Sequence, residues 1–279
     1  MNKLSWIDKI FVINLDRSVD RLNKCEYQSK KYNFQFERFT AIDGSKLTKT
    51  QKNYVHPICK TLLCTNGMIG CGLSHLFILK KIIDENIQTT LVLEDDFVWR
   101  NDSIEKINKL KNFNKGIVKL SCIGPFCKSE SEDEPSLCEL ALGNAAYLIR
   151  YNQAKILYEK LQNVIYHIDV QYAFTSKFNH IPIYYFDCID VEGMEDSTIG
   201  DNNSTLLKQI LPLSPTISWV LSEPFISPLG LKINLFFCLS IIILILGIVF
   251  YKKFQGILKY IGLFFILFGI LDLFFYFQN

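Results

Sequence analysis

The chain has 279 residues, 49% of them apolar and 21% charged, which supplies enough apolar surface for a packed core and excludes a disordered chain. Thirty bases against 28 acids leave a net charge of +2, too near neutral for the broad basic face that nucleic-acid binding requires. The charge is unevenly spread: only Lys232, Lys252, Lys253, Lys259 and Asp272 lie beyond Gly230, so the polar chemistry belongs to the front of the chain.

Met1 to Lys9 lacks the apolar core of a signal peptide, so the polar part is expected on the cytosolic side of any membrane. The run Lys9 to Asn14 reads as a buried strand, Ser18 to Lys31 as a polar helix, and Phe34 to Thr40 as a second strand before a turn at Asp43-Gly44. Gly67 to Gly72 precede a helix over Leu76 to Asn86, with Ile69, Leu73, Leu76, Leu79 and Ile83 at helical spacing. Thr89 to Leu93 is an apolar strand that stops in three acids, and a helix is expected from Ser103 to Phe113. Strands follow at Gly116 to Ser121, Ala145 to Ile149 and Ile181 to Phe186, with a helix over Asn152 to Leu161. Glu130 to Glu134 reads as a solvated loop. The alternation predicts an α/β fold, a mostly parallel sheet covered by helices on both faces. Nine scattered cysteines with no C-x-x-C pair are expected to be mostly reduced and to fill core positions.

Four prolines between Leu211 and Pro228 predict an extended linker over 211–230, between a domain over 1–210 and membrane-anchoring helices over 231–279. Leu235 to Phe250 and Tyr260 to Phe277 each hold 13 Leu, Ile, Phe or Val residues. At −0.3 to −0.6 kcal/mol apiece, each run gains about 4 to 8 kcal/mol on insertion into a bilayer, whereas Asp272 costs at most about 3.5. A hydrophobic helical hairpin turning at Lys252 to Gly256 is therefore expected, with Asp272 snorkelling toward the headgroups. A single span or an interfacial pair would suit the two turn lysines better.

Glu94, Asp95 and Asp96 sit at the carboxyl end of a strand, where open α/β sheets bind their ligands. Adjacent carboxylates repel, and a divalent cation shared by Glu94 and Asp96 would relieve that repulsion; acids after a strand also serve turns and helix caps. Glycines ahead of a helix can admit an anion to its N-terminus, and His75 in that helix is either a satisfied polar residue or a phosphate or sugar ligand.

Ile13-Asn14-Leu15 with Arg17 and Arg21, Ala41-Ile42-Asp43-Gly44, Gly70-Cys71-Gly72-Leu73-Ser74-His75, Val92-Leu93-Glu94-Asp95-Asp96, and Ala145-Ala146-Tyr147-Leu148 followed by Ala154 resemble, in this order, the motifs of glycosyltransferase family 25. That family includes bacterial lipopolysaccharide glycosyltransferases and the collagen galactosyltransferases. The resemblance runs from about residue 9 to about residue 200 and omits the apolar tail. It implies a GT-A type, Rossmann-like fold, a UDP-sugar donor, and Mn²⁺ or Mg²⁺ held by Glu94 and Asp96. It places Asn14, Arg17, Arg21, His75 and Asp95 at the nucleotide sugar. Asp169 matches a downstream family Asp and is the candidate base for the acceptor hydroxyl, with a helix cap or structural acceptor as its other reading. Asp196 to Gly200 resembles a closing element over the donor, and Asp187 to Gly193 departs from a stretch that often carries Pro and Gln.

The expected activity is that of a membrane-tethered hexosyltransferase acting on a hydroxyl of a glycan, lipid-linked sugar or protein. Two other classes compete with it. An inactive sugar-nucleotide or partner-binding protein would have no need to keep three repelling acids. A metal-dependent phosphohydrolase would want more ligands than four histidines supply.

Overall fold

The computed structural model describes residues 3–122, 127, 130–138, 141–192, 211, 221–222, 224–228 and 232–278. The chain divides into two compact units, one of residues 1–60 and 66–193, the other of residues 61–65 and 194–279. The element at Asp196 to Gly200 and most of the proline-rich segment lie outside the described residues.

In the first unit β1 (Lys9–Asn14), α1 (Val19–Tyr32) and β2 (Glu37–Thr40) are followed by a short α2 (Lys49–Lys52) and the long α3 (Asn66–Asp84). Next come β3 (Thr89–Glu94), β4 (Phe97–Trp99), α4 (Ser103–Lys109), β5 (Ile117–Lys119), β6 (Ser136–Leu137) and β7 (Ala146–Arg150). The series ends with α5 (Tyr151–Leu161), α6 (Ile168–Phe178), β8 (Ile183–Tyr185) and β9 (Ile189–Val191). Seven strands form one sheet in the order β2-β1-β3-β7-β5-β8-β6. β1 pairs in parallel with β2 and β3, and β5 with β8, while β7 and β6 run against their neighbours. The sheet is thus mixed and mostly parallel.

Strand pleating decides the two faces. Ile10 and Val12 of β1, Leu91 and Leu93 of β3, and Ala146 and Leu148 of β7 enter one core, with Cys25 of α1 and Ile104 and Ile107 of α4. Phe11 and Ile13, Val92, and Tyr147 and Ile149 enter the other, with Leu76 and Leu79 of α3, Leu157 of α5, and Ile168 and Tyr172 of α6. Burying each such apolar side chain contributes about 1.5–3 kcal/mol, so both faces need their helices.

Three expectations change. The glycines do not precede α3; they lie inside it, because the helix starts at Asn66. A Cβ on Gly70 would stand 2.4 Å from the Ile42 carbonyl oxygen, and one on Gly44 would stand 1.8 Å from that of Asn66, so these glycines serve close backbone packing instead of an anion. Ser74 latches the same contact, accepting from the Ile42 N–H at 2.8 Å and donating to the Gly70 carbonyl at 2.7 Å. The thiols are also less uniform than expected: Cys25, Cys71, Cys138, Cys188 and Cys238 are free, Cys122 is bonded to Cys127, and Cys59 and Cys64 are oxidised too.

In the second unit α7 (Leu235–Lys253) and α8 (Ile257–Gln278) form a hairpin, and both are long and apolar enough to cross a membrane. Asn234 caps α7 by accepting from the Phe237 N–H at 2.8 Å. The helices touch through small residues: a Cβ on Gly247 would lie 2.7 Å from the Ile266 nitrogen, and one on Gly262 2.5 Å from the Tyr251 nitrogen. Here the third expectation changes. Asp272 does not snorkel outward; it is fully buried in the hairpin and accepts from the Ser240 hydroxyl of the facing helix, which also reaches the Phe236 carbonyl. A polar group with a partner in the seam avoids the cost of facing lipid.

Candidate active site

β1 and β3 end side by side, Ile13 opposite Glu94, so Asn14 and the three acids share one end of the sheet. The pleat then separates the acids. Glu94 turns to the α3 face and accepts from His75, whose Nε2 stands 3.1 Å from its Oε1. Asp95 turns to the α1 face, where Arg21 NH1 donates to Oδ1 at 2.9 Å and Asn14 Nδ2 donates to Oδ2 at 2.7 Å. Asn14 is buried and fully engaged, since its Nδ2 also reaches the Ser18 carbonyl and its Oδ1 accepts from Arg38 Nε at 3.0 Å. Asp96 is held more loosely, 3.8 Å from Arg21, and its Oδ1 is buried with no hydrogen-bond partner among the described residues. Burial, with Glu94 and Asp95 beside it, pushes the Asp96 carboxyl up to about 8.

His75 is itself the middle of a buried chain. A carboxylate only accepts, so Nε2 carries the proton that faces Glu94, and Nδ1 stands 3.1 Å from the Tyr147 hydroxyl. Tyr172 of α6 lies 3.5 Å from that hydroxyl. Burial holds both phenols well above their ordinary range and keeps them protonated. Lys119 of β5, wholly buried, stands over the Tyr147 and Tyr172 rings at 5.2 and 5.4 Å. Burial lowers its ammonium to about 8.

Asp169, in the first turn of α6, accepts from the Gly143 N–H at 3.1 Å and from the Val170 N–H at 2.8 Å. The structural-acceptor reading therefore describes its present bonds. Its charge nonetheless acts on the same groups as Glu94: both raise Cys71 and both favour the Lys119 cation. The fold thus gathers Asn14, Arg21, Asp95, Glu94, Asp96 and His75 at one sheet end, with Asp169 within electrostatic reach. Arg17 is not drawn in. It pairs with Asp43 at 2.7 Å while more than half exposed. Sequence reasoning missed Lys119 and Tyr172; a lone lysine inside the apolar run Gly116 to Ser121 is the signal that could have found the first.

The profile of glycosyltransferase family 25 (LPS biosynthesis protein) matches residues 7–172, which include every one of these groups. The chain belongs to glycosyltransferase family 25. Among other members, it is 33% identical over 112 residues to procollagen galactosyltransferase 2 of Mus musculus, covering 37% of this chain and 18% of that protein. It is 31% identical over 124 residues to a glycosyltransferase 25 family member of Drosophila melanogaster, 40% of this chain and 20% of that one. The family 25 match therefore spans about a fifth of the length of these relatives. A solved glycosyltransferase involved in the glycosylation of the major capsid of PBCV-1 is 10% identical, covering 64% of this chain and 82% of that chain at a TM-score of 0.37.

Two sets of side chains in this family 25 member could hold a cation. Ligand atoms of Cys71, His75 and Glu94 lie within 4.8 Å of one another. Burial and the nearby Glu94, Asp169 and Asp96 charges hold the Cys71 thiol well above its ordinary range, which disfavours it as a thiolate ligand. Glu94 with the orphaned Asp96 Oδ1 offers oxygen alone, the donor type that Mg²⁺ and Mn²⁺ prefer.

Proposed function

We propose that this chain transfers a hexose, galactose or glucose, from a UDP-sugar to a hydroxyl of a glycan, lipid-linked sugar or protein, with Mn²⁺ or Mg²⁺ at Glu94 and Asp96. The observation that carries the reading is the half-buried Asp96 carboxyl at the carboxyl end of β3: its Oδ1 is buried with no hydrogen-bond partner among the described residues, beside two further acids in a family 25 chain. Such an arrangement is costly without a cation. A bound divalent ion would supply charge neutralisation for the leaving diphosphate.

The remaining roles belong to the protein. Arg21, fixed by Asp95, contributes positive charge toward the diphosphate. Asn14 orients Asp95, and His75 orients Glu94. Asp169 takes the acceptor hydroxyl proton as the acceptor oxygen bonds to the anomeric carbon and the bond from that carbon to the diphosphate oxygen breaks. The α7–α8 hairpin anchors residues 231–279 in a membrane, a reading supported by its length and apolar surface.

UDP release by the full chain in detergent, from a panel of UDP-sugars with Mn²⁺ or with chelator, tests this. Metal-dependent turnover of one donor is expected, and Asp96→Ala should lower it about a hundredfold or more. UDP binding measured in the same preparation covers the case in which the acceptor is missing. A folded protein that neither binds UDP with metal nor turns over any donor leaves the inactive binding protein as the better account.

A further inference from the structure

Lys119 does more than fill space between two tyrosines. Its Nζ donates to the Gly143 carbonyl at 2.9 Å and to the Asn144 side-chain oxygen Oδ1. An ammonium has no acceptor, so it can hold only the oxygen end of that amide and thereby fixes which way the amide faces. The other end, Nδ2, is buried and has no hydrogen-bond partner among the described residues, in a residue that is 4% exposed. A buried donor left unpaired is unfavourable, and in a folded protein it usually marks a missing partner.

The neighbours of Asn144 tie it to the candidate site. The residue after it, Ala145, accepts from the Glu94 N–H at 2.7 Å, and the residue before it, Gly143, donates to Asp169 at 3.1 Å. Asn144 therefore bridges, along the backbone, the acids and the candidate base. In the glycosyltransferase reading, on which this inference rests, the diphosphate leaves on the side of the acids and the acceptor arrives on the side of Asp169. The sugar ring lies between. We propose that Asn144 is a sugar-contacting residue whose amide N–H donates to a hydroxyl oxygen of the transferred hexose, and that Lys119 is the positioning residue that aims it. Because a fixed donor matches a hydroxyl in one orientation, Asn144 discriminates between hexose epimers.

The test uses the full chain in detergent with Mn²⁺ and compares dissociation constants for UDP, UDP-galactose and UDP-glucose. Asn144→Ala should leave UDP binding unchanged, weaken the preferred UDP-sugar about tenfold, and narrow the preference between the two epimers. Lys119→Met should reproduce this pattern and Lys119→Arg should restore part of the preference. Retained UDP affinity doubles as the control for folding. Equal losses for UDP and UDP-sugar would place Asn144 on the diphosphate or in a purely structural role and overturn the assignment. Unaltered affinities in Asn144→Ala overturn it too. A wild-type protein that binds no uridine nucleotide with metal defeats the glycosyltransferase reading itself, and this inference falls with it. Wild-type binding beside an unaffected Asn144 variant defeats the inference alone.

Discussion

In the α/β unit, buried polar groups answer one another in series, from Tyr172 through Tyr147 and His75 to Glu94, with Lys119 against both rings. In the hairpin the Asp272 carboxyl accepts from the Ser240 hydroxyl of the facing helix. Beside the series two buried atoms, Asp96 Oδ1 and Asn144 Nδ2, have no hydrogen-bond partner among the described residues, whereas the Asp272 carboxyl is partnered across the hairpin seam. Burial of polarity alone does not identify a working site. Unpartnered atoms beside a network leave a place for a ligand, whereas a carboxyl partnered across a helical seam holds two helices together.

The strongest way to break this contrast is to cut the series at its centre. His75→Phe keeps a ring but leaves Glu94 and the Tyr147 hydroxyl short of a partner, and should cost about 2–3 kcal/mol in urea unfolding. A loss under 0.5 kcal/mol, within the ordinary range for surface changes, would show that the series does not act as a unit.

A smaller effect concerns Asp96. The Asp96 carboxyl titrates near 8 when folded and near 3.8 when unfolded, so the folded state holds an extra proton between those values. Stability in metal-free buffer is therefore highest below the lower value and falls as pH rises through the upper one. Asp96→Asn removes that slope and should exceed the wild type above pH 8 by on the order of 1–2 kcal/mol. Parallel stability curves for the two proteins between pH 5 and pH 9 would contradict the burial argument.

The smallest effect sharpens the other half of the comparison. Ser240→Ala removes one interhelical hydrogen bond from the hairpin and should cost about 0.6 kcal/mol, the average for such bonds in membrane helices. Hairpin stability in detergent, followed by steric trapping, reads this directly. A loss of several kcal/mol would mean that Ser240 belongs to a larger polar assembly.

Much of this was legible in the residues. Lys9 to Asn14 and Thr89 to Leu93 were readable as strands because apolar, β-branched runs that short have few other uses. Glu94 to Asp96 stood out because three adjacent charges after such a run ask for a reason. Helix α6 was not legible: Ile168 to Phe178 carries its apolar residues unevenly, and Asp169 stood out through the family resemblance and not through a helical pattern. The glycines of α3 were misread because close backbone approach leaves no mark in one chain's pattern; the partners, Ile42 and Gly44, lie more than twenty residues earlier. Tyr147 and Tyr172 look like ordinary core aromatics until their hydroxyls are traced, and the lone Lys119 of an apolar run shows its burial only once its strand is placed between two others.

The length of β3 has a further consequence. Side chains alternate along a strand, so the count of residues from Thr89 decides which acid meets His75 and which meets Arg21. Deleting one residue between Thr89 and Leu93 would keep all three acids and all the apolar content, yet exchange their partners across the sheet. The strand acts as a ruler, and for this site an insertion or deletion of a single valine or leucine is a heavier change than the substitution of one.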